Sequence, residues 1–237
     1  MNDTPDTLGG AGLLAFFADV DEAYVPRYRQ WHNCEHMPER VAIPGFLVGR
    51  RYNALHAARM FLMAYETRDL TVLESDPYLT LLNQPSPWTT ESLGHFRQPL
   101  RNCYRRLCGF GTSPRQDAPY LATFRFNPAP DEASNPPPAL AWIEAVAKAS
   151  QVLRARLYEL GLGASNVQTS ERKIYGSQSN RQRYLAQFEC TAPEAWASAD
   201  WRAREDALPA ELRPARTLQD GERESWWLDF AIYAPRP

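Results

Sequence analysis

MFLMAYET (60–67) and RYLAQFECT (183–191) resemble each other, although they lie in opposite halves of the chain. In both stretches the apolar and aromatic residues fall at matching places, and a glutamate near the end is followed one or two residues later by a threonine. Such self-similarity indicates an internal duplication. We therefore expect two related halves, 1–114 and 119–237, joined by the linker TSPRQDAP (112–119).

The spacing of apolar residues predicts the same order of elements, βαββαβ, in each half. In the first half the predicted elements are a strand at 13–20, a helix at 24–42, a hairpin of strands at 45–55 and 59–67, a helical segment at 70–96 and a strand at 101–111. In the second half they are a strand at 120–127, a helix at 139–161, strands at 165–176 and 181–191, a helix at 192–208 and a strand at 225–235.

A βαββαβ unit predicts the ferredoxin-like α+β fold, in which two helices cover one face of a four-stranded antiparallel sheet. The other face of the sheet is bare in an isolated unit. MFLMAYE (60–66) is apolar on both of its faces, as expected for a strand in a sheet that is covered on both sides. We therefore predict that the two halves pack sheet to sheet, as a pseudo-dimer with a barrel-like core.

The composition is typical of a soluble globular protein, with 44% apolar and 23% charged residues among 237. A formal net charge of -2 gives no field that would attract a polyanion, so nucleic acid is not expected as a partner. The N-terminus MNDTPDTLGG (1–10) does not have the pattern of a signal peptide, and no apolar run is long enough to predict a membrane span. We expect a cytoplasmic protein whose four scattered cysteines are unpaired thiols.

WHNCEHMPER (31–40), near the end of the first predicted helix, contains two histidines and a glutamate. At about 100° per residue, His32, Glu35 and His36 share the helix face of large apolar residues such as Tyr28. Ionisable side chains on an inward face cost free energy unless they are paired. We therefore expect these three side chains either to have polar partners or to take part in catalysis or binding.

Three explanations fit this arrangement. The spacing H-x-x-E-H is that of a zinc site, but Pro38 predicts that the helix ends at Met37, and no third ligand stands out downstream. The histidines could instead be structural, with one capping the end of the helix. A working acid/base site also accounts for the inward glutamate and for Arg40, and it is the explanation that we favour.

EHMPER (35–40), followed by IPGF (43–46) and GRRY (49–52), resembles the passage from the first helix to the second strand in EthD-like proteins of the dimeric α/β-barrel superfamily. The resemblance implies that fold for both halves. Members of the superfamily include cofactor-free cyclases, isomerases, dehydratases, decarboxylases, quinone-forming monooxygenases and haem proteins. The resemblance also implies that the histidine of the E-H-x-P run, His36 in this chain, faces a pocket between the sheet and the helices.

The inward helix face and the resemblance together predict a cofactor-independent enzyme that transfers protons on a small carbonyl-bearing or aromatic molecule, as a lyase, dehydratase, isomerase or cyclase does. The catalytic candidates are His36 as general acid or base, with Glu35 and His32 tuning or relaying the proton. The candidate substrate-binding residues are Tyr28, Trp31, Arg40, Arg50, Arg51 and Tyr52. The two adjacent arginines of the strand point to opposite faces, so only one of them is expected to enter the pocket.

Two other functions stay open. A haem- or oxygen-dependent enzyme of the same superfamily could use His36, His56 or His95 as an axial ligand, so haem is not excluded, although neither a cofactor nor a metal is expected. A non-catalytic binding module for small molecules would have a first-half pocket that its own side chains fill.

All four histidines lie in the first half, and the second half lacks an E-H-x-P run. The site is therefore expected in the first half, with the second half acting mainly as its packing partner. The expected partner is a small-molecule substrate, with neither nucleic acid nor a membrane, and formation of a homodimer is left open.

Overall fold

The computed structural model describes residues 9–111, 117–127, 139–176, 182–209, 212 and 222–235, so most of the predicted linker lies outside the described residues. In the first half the strands are β1 (Gly12–Val20), β2 (Phe46–His56), β3 (Phe61–Thr67) and β4 (Phe96–Gly111). The helices are α1 (Val25–Trp31), α2 (Met37–Val41), α3 (Asp76–Asn83) and α4 (Pro87–Leu93). A π-helical turn at His32–His36 joins α1 to α2, and short 3-10 helices lie at Glu22–Tyr24 and Leu70–Glu74.

In the described part of the second half the strands are β5 (Tyr120–Phe126), β6 (Val152–Leu160), β7 (Tyr184–Cys190) and β8 (Glu222–Tyr233). The helices are α5 (Ala139–Val146), α6 (Leu162–Asn166), α7 (Ser170–Tyr175) and α8 (Ala199–Asp206), with a 3-10 helix at Ala195–Ala197. α6 and α7 form an insertion between β6 and β7, where the first half has only the short connection 57–60.

The described strands form one closed antiparallel barrel in the order β1-β3-β2-β8-β5-β7-β6-β4. Within each half the fourth strand pairs with the first, the first with the third and the third with the second. The halves join where β2 pairs with β8 and where β4 pairs with β6. The structure thus confirms the predicted pseudo-dimer of ferredoxin-like units. The two similar stretches, β3 and β7, occupy equivalent places in it.

Side chains alternate along each strand between the barrel interior and the helix-covered outside. In β1, Leu13, Ala15 and Phe17 belong to the cluster inside the barrel, whereas Leu14 and Phe16 pack beneath the helices of the first half. A third apolar cluster lies beneath the helices of the second half. Both faces of the sheet are therefore covered, which explains why the strands are apolar on both sides.

One end of the barrel interior is charged. Glu66 is 3% exposed and accepts hydrogen bonds from Arg50 at 2.7 Å and from Arg156 of the other half at 2.8 Å. Arg154 lies 3.9 Å from the same carboxylate. Burial raises the pKa of Glu66, but the charges of these three arginines outweigh burial and hold the pKa well below its usual value.

The structure corrects two predictions in the second half. The predicted helix 139–161 is the short helix α5 followed by the strand β6, and the predicted strand 165–176 forms α6 and α7. In β6 the alternate residues Arg154, Arg156 and Tyr158 are buried and contact groups inside the barrel. The strand period of two therefore prevails over the helix-like spacing of this segment.

The first helix does not end at Met37, as Pro38 predicted. The backbone N–H of Met37 bonds to the carbonyl of His32, five residues earlier, which is the pattern of the π turn. A proline inside an α-helix clashes with the carbonyl four residues before it. The wider π turn directly before Pro38 accommodates the ring, and the helix continues to Val41.

The cysteines and the helices agree with the expectations from composition. All four cysteines are unpaired, with Cys34 exposed and Cys103 and Cys190 buried. Among the described residues, no helix combines the length and the apolar character that crossing a membrane requires.

We predict that neither half folds stably alone, because separation would expose the barrel interior and leave the edges of β2, β4, β6 and β8 unpaired. Residues 1–114 and 119–237, expressed as separate chains, should be insoluble, self-associating or poorly folded. Size-exclusion chromatography measures their association, and circular dichroism measures their folded structure. The full-length chain is the control. Two soluble, folded monomers would contradict the packing described here.

Candidate functional site

A cavity lies between the sheet of the first half and the elements that cover it. The space not filled by protein atoms is about 440 Å³, its open mouth included. The apolar lining residues are Leu14, Phe16, Met63, Leu82, Leu93 and Phe96. The polar and aromatic-polar ones are His32, His36, Arg40, Tyr65, Tyr78, Arg101, Glu171 and Tyr175.

The second half contributes to this cavity, so it is more than the packing partner that the sequence predicted. Glu171 and Tyr175 on α7 are among the lining residues. The insertion that carries them is fastened to β4, because the N–H of Cys103 donates to Oγ of the buried Ser165 at 2.9 Å. The cavity is therefore shared by both halves.

His32 is 1% exposed, and both of its ring nitrogens have partners. Arg51 Nη1 lies 3.2 Å from Nδ1, and Tyr65 Oη lies 3.2 Å from Nε2. A guanidinium can only donate, so Nδ1 accepts and the proton of the neutral ring sits on Nε2. Nε2 then donates to Tyr65, which leaves the hydroxyl hydrogen of Tyr65 available to a molecule in the cavity.

Because Gly49 on β2 has no side chain, the ring of Tyr65 can pack directly against the backbone at position 49. A Cβ atom at position 49 would come within 2.9 Å of Tyr65 Cε1 and 3.0 Å of Met37 Cε. Contacts this short would displace both side chains in a close-packed interior. The glycine of the GRRY run therefore supports the position of a cavity residue.

His36 lines the cavity, as the resemblance implied. Its ring centre lies 4.4 Å from that of Trp31 and 5.5 Å from that of His32. Arg40 Nη2 approaches Nδ1 at 3.5 Å, the long limit of a hydrogen bond. Because Arg40 can only donate, this contact favours the proton on Nε2 of His36.

Both imidazoles are held in the neutral form. Burial lowers the pKa of His32 well below its usual value, and the charges of Arg51 and Arg40 lower it further. Burial also lowers the pKa of His36, assisted by the charge of Arg40. Neither ring therefore adds positive charge to the cavity, and His36 keeps Nε2 as a hydrogen-bonding nitrogen.

Arg40 and Glu171 form an ion pair across the two halves, with exposures of 2% and 4%. Arg40 Nη2 donates to Oε1 of Glu171, and no donor among the described residues binds Oε2. Burial raises the pKa of Glu171 against the opposing charges of Arg40 and Arg101. Glu171 is thus a carboxylate that can accept a proton inside the cavity, and the sequence analysis did not single it out.

Arg101 on β4 is a second guanidinium in the lining, and it too was missed. Its Nη1 donates to the carbonyl oxygen of Ala164 at 2.9 Å, and its Nη2 donates to Tyr78 Oη at 3.3 Å. Within the described part of the chain no carboxylate forms an ion pair with it. Its charged guanidinium group is therefore hydrogen-bonded to neutral groups.

Glu35, predicted to be catalytic, does not line the cavity. Its Oε1 accepts hydrogen bonds from Ser86 Oγ at 2.5 Å and from Thr89 Oγ1 at 3.0 Å. Ser86 is the N-cap of α4, so Glu35 ties the π turn to that helix. The step of about 100° per residue assumed an α-helix throughout, and the π turn breaks this assumption.

Tyr28 and Trp31, predicted to bind substrate, are fully buried in the packing between α1 and the sheet. Tyr28 Oη donates to Met63 Sδ at 3.1 Å, and Trp31 Nε1 donates to Thr89 Oγ1 at 3.1 Å. Neither side chain lines the cavity. Their role is to support the residues that do, such as His36, against which Trp31 packs.

Neither Arg50 nor Arg51 enters the cavity, although one of them was predicted to do so. Arg50 and Tyr52 lie inside the barrel, where Glu66 accepts from Arg50 at 2.7 Å. Arg51 lies on the helix side behind His32, and its Nε donates to Asp229 at 2.7 Å. Arg51 therefore acts on the cavity only through His32.

The geometry does not support the zinc interpretation of H-x-x-E-H. Both nitrogens of His32 are engaged by protein groups, and Glu35 is bonded to α4. Among the described residues there is no group of three or more side chains arranged to bind a metal ion.

The residues present do not fit haem either. Of the predicted axial ligands, His56 is exposed, and His95 pairs with Asp21 at 2.9 Å outside the cavity. Among them only His36 lines the cavity. The contact of Arg40 with Nδ1 of His36 favours the proton on Nε2, the nitrogen that would have to bind iron.

Comparison with solved structures shows the fold. The chain matches an anthrone oxidase-like protein with a TM-score of 0.58 and 8% sequence identity, covering 95% of this chain and 93% of that chain. It matches a candidate monooxygenase from Fusobacterium nucleatum subsp. nucleatum with a TM-score of 0.59 and 7% identity, covering 94% and 95%. A variant of chlorite dismutase from Candidatus Nitrospira defluvii matches with a TM-score of 0.55 and 10% identity, covering 93% and 92%.

These matches confirm the dimeric α/β-barrel fold that the sequence resemblance implied. At sequence identities this low, structural similarity shows the fold and does not show the function. No protein-family model and no curated protein matches the sequence.

We predict that the free energy of unfolding falls as the pH is lowered from about 7.5 to about 5.5. The pKa of His32 and that of His36 are lowered in the folded chain, so below the ordinary value of 6.5 the unfolded chain binds more protons. Stability is therefore present above this value and lost as the pH falls through it. Urea midpoints at the two pH values measure the loss.

The variant His32→Asn should show a weaker pH dependence than the wild type. The exposed His56 provides the matched control, because His56→Asn should leave the dependence unchanged. A wild-type midpoint that does not vary with pH would show that the two buried imidazoles do not behave as described.

Proposed function

We propose that the chain is an enzyme that removes a proton from a small, enolisable aromatic molecule and directs the resulting enolate to molecular oxygen, without a bound cofactor. The observation that carries this proposal is Glu171, a buried carboxylate in a cavity whose other polar groups are suited to donate hydrogen bonds. A proton acceptor and oxyanion donors in one desolvated cavity are what proton removal next to a carbonyl requires.

The donors are assigned from the chemistry of their partners. Arg40 and Arg101 have no acceptor atoms. The contacts of His32 and His36 with arginines place N–H on the far nitrogen of each ring and leave the hydroxyl hydrogen of Tyr65 available. Groups of this kind stabilise negative charge that develops on a carbonyl oxygen while a neighbouring carbon loses its proton.

Glu171 is the proposed general base. Its pKa is raised by burial, which makes the carboxylate a stronger base than an exposed glutamate. Arg40 binds Oε1, so Oε2 is the oxygen that would take up the proton. His36, as a neutral imidazole, is the proposed hydrogen-bond donor to the substrate oxygen, in place of the general acid or base predicted from the sequence.

Oxidation by oxygen is balanced without a further reactant. The base takes one proton from a methylene carbon that is conjugated with a carbonyl group through the aromatic rings, and the enolate transfers electrons to O2. One oxygen atom then bonds to that carbon and the other leaves as water, so that CH2 and O2 become C=O and H2O. The protein supplies the base, the oxyanion donors and an apolar space around the reacting carbon.

The names of two matched structures favour this outcome over the lyase, dehydratase, isomerase or cyclase expected first. One is anthrone oxidase-like and another is a candidate monooxygenase. An anthrone has a methylene group between two aromatic rings and a ketone in the same ring system, which makes it an enolisable aromatic molecule. All of these reaction types can begin with the same proton removal, so the use of oxygen distinguishes them.

A non-catalytic binding module is less well supported, because it was expected to have a pocket filled by its own side chains. The cavity instead keeps space that its own side chains do not fill, and its lining includes a carboxylate and a hydrogen-bond donor, Glu171 and His36.

Oxygen consumption with anthrone as the probe tests the proposal. An oxygen electrode and the absorbance of anthraquinone should show one O2 consumed for each quinone formed, after subtraction of the rate without protein. The same reaction under nitrogen is the control and should stop. Conversion of the substrate at an unchanged rate under nitrogen would instead favour an isomerase- or lyase-type reaction.

We predict that Glu171→Gln and His36→Ala each lower turnover by roughly 10²- to 10⁴-fold, the usual effect of a positioned acid or base. Glu35→Gln, which changes a carboxylate outside the cavity, should keep turnover near that of the wild type. Urea midpoints of each variant correct the rates for unfolded protein. Normal turnover of His36→Ala, with the free energy of unfolding lowered by about 0.5–3 kcal/mol, would give His36 a structural role instead.

A further inference from the structure

The cavity has more positive than negative charge. Arg40 and Arg101 line it, and Glu171 is the one carboxylate among the lining residues. The pKa values of His32 and His36 are lowered, so these rings are neutral at neutral pH and do not change the balance. The enolate of the proposed reaction is transient, whereas this positive charge is present in the cavity before any substrate reacts.

Arg40 has an unused donor. Its Nη2 serves Glu171 and contacts His36, whereas its Nη1 is buried without a hydrogen-bond partner. The whole side chain is 2% exposed. A buried N–H of a charged group that lacks a partner is costly, and folded proteins rarely contain one without a reason.

Arg101 has only neutral partners, namely the carbonyl oxygen of Ala164 and the hydroxyl of Tyr78. Tyr78 interacts with the charges of both arginines and lines the same cavity. Because Tyr78 Oη accepts from Arg101, its own hydrogen is available as another donor. The two guanidinium groups and this hydroxyl are therefore prepared to bind an acceptor.

Acidic groups on the neighbouring elements do not compensate. Glu39 on α2 is half-buried and Glu74 is exposed, and neither lines the cavity. Arg51 behind His32 is balanced by Asp229 at 2.7 Å, so that pair adds no net charge. The excess positive charge stays with Arg40 and Arg101.

We propose that the bound molecule carries an oxyanion on its aromatic framework, a carboxylate or an ionised phenol, which binds the guanidinium groups of Arg40 and Arg101. This inference rests on the proposed function for the enolisable part of the molecule, and it narrows the substrate class to aromatic anions. Carboxylate and phenolate oxygens present the same acceptor to a guanidinium. The apolar lining formed by Leu14, Phe16 and Phe96 holds the ring system.

Equilibrium binding of two probes tests the proposal without turnover. 2-Naphthoate and 2-naphthamide have nearly the same shape, but only the first is an anion at neutral pH. Calorimetry on the full-length protein should give a dissociation constant about tenfold or more lower for 2-naphthoate, since charge-assisted hydrogen bonds are the stronger ones. Equal or weaker binding of 2-naphthoate would overturn the proposal, and so would failure of both probes to bind.

4-Nitrophenol distinguishes the two sources of the oxyanion, because its visible absorption band differs between phenol and phenolate. A larger fraction of phenolate in bound 4-nitrophenol than in free 4-nitrophenol at the same pH would show that the cavity accepts an ionised phenol. A preference for 2-naphthoate without this spectral change would restrict the class to carboxylates.

The variant Arg101→Gln should reduce the preference for 2-naphthoate to about twofold or less, because one of the two charged donors is lost. Arg105→Gln is the matched control on the same strand, since the Arg105 side chain is 61% exposed and pairs with Glu159 outside the cavity. An unchanged preference in a folded Arg101→Gln protein would contradict the role of Arg101. If that variant does not fold, the comparison of probes on the wild type still decides the question.

The outcomes separate this inference from the proposed function. Preference for the anion together with no oxygen consumption by any enolisable substrate would leave the binding inference standing and the oxygen chemistry wrong. Oxygen consumption with anthrone but no preference for the anion would support the proposed oxygen chemistry and overturn the binding inference.

Discussion

Pairing of strand edges between the halves is the constraint on which the rest of the structure depends. β2 bonds to β8 and β4 bonds to β6, and these two seams turn two open sheets into a closed barrel. Closure removes the barrel interior from water. Glu66 and its arginine partners from both halves can then exist only as a mutually bonded group, because a buried charge without a partner is strongly destabilising. The same ion pairs on an open sheet would contribute little.

Closure also decides what covers the cavity. Because β6 lies beside β4, the insertion that follows β6 comes to rest over the first half. The N–H of Gly161 donates to the carbonyl of Cys103 at 2.8 Å, and Ser165 binds the N–H of the same cysteine. α7 is thereby held where Glu171 meets Arg40. A single half would contain the imidazoles but not the carboxylate, so the duplicated chain completes its site with an element that only one copy has.

The fold could be predicted because the duplication and the apolar strands report directly on burial, but only part of the site could be. His32 and His36 were identified because they share the inward helix face, and Arg40 because it lies in the run EHMPER. Arg50 and Arg51 could not be placed, since a sheet covered on both sides gives no apolar signal for its inward face. Glu171 was missed because its segment resembled a strand, although Thr169 as N-cap and Gly176, with φ of 65°, mark the two ends of a helix.

The π turn at His32–His36 determines how α2 is oriented toward the second half of the chain. Such a turn holds one residue more than the α-helical turn it replaces. If the same residues formed a regular α-helix, those after the turn would be rotated by about 100° about the helix axis. Arg40 would then leave the cavity and lose Glu171. The wider turn before Pro38 therefore sets which side chain of α2 meets the second half.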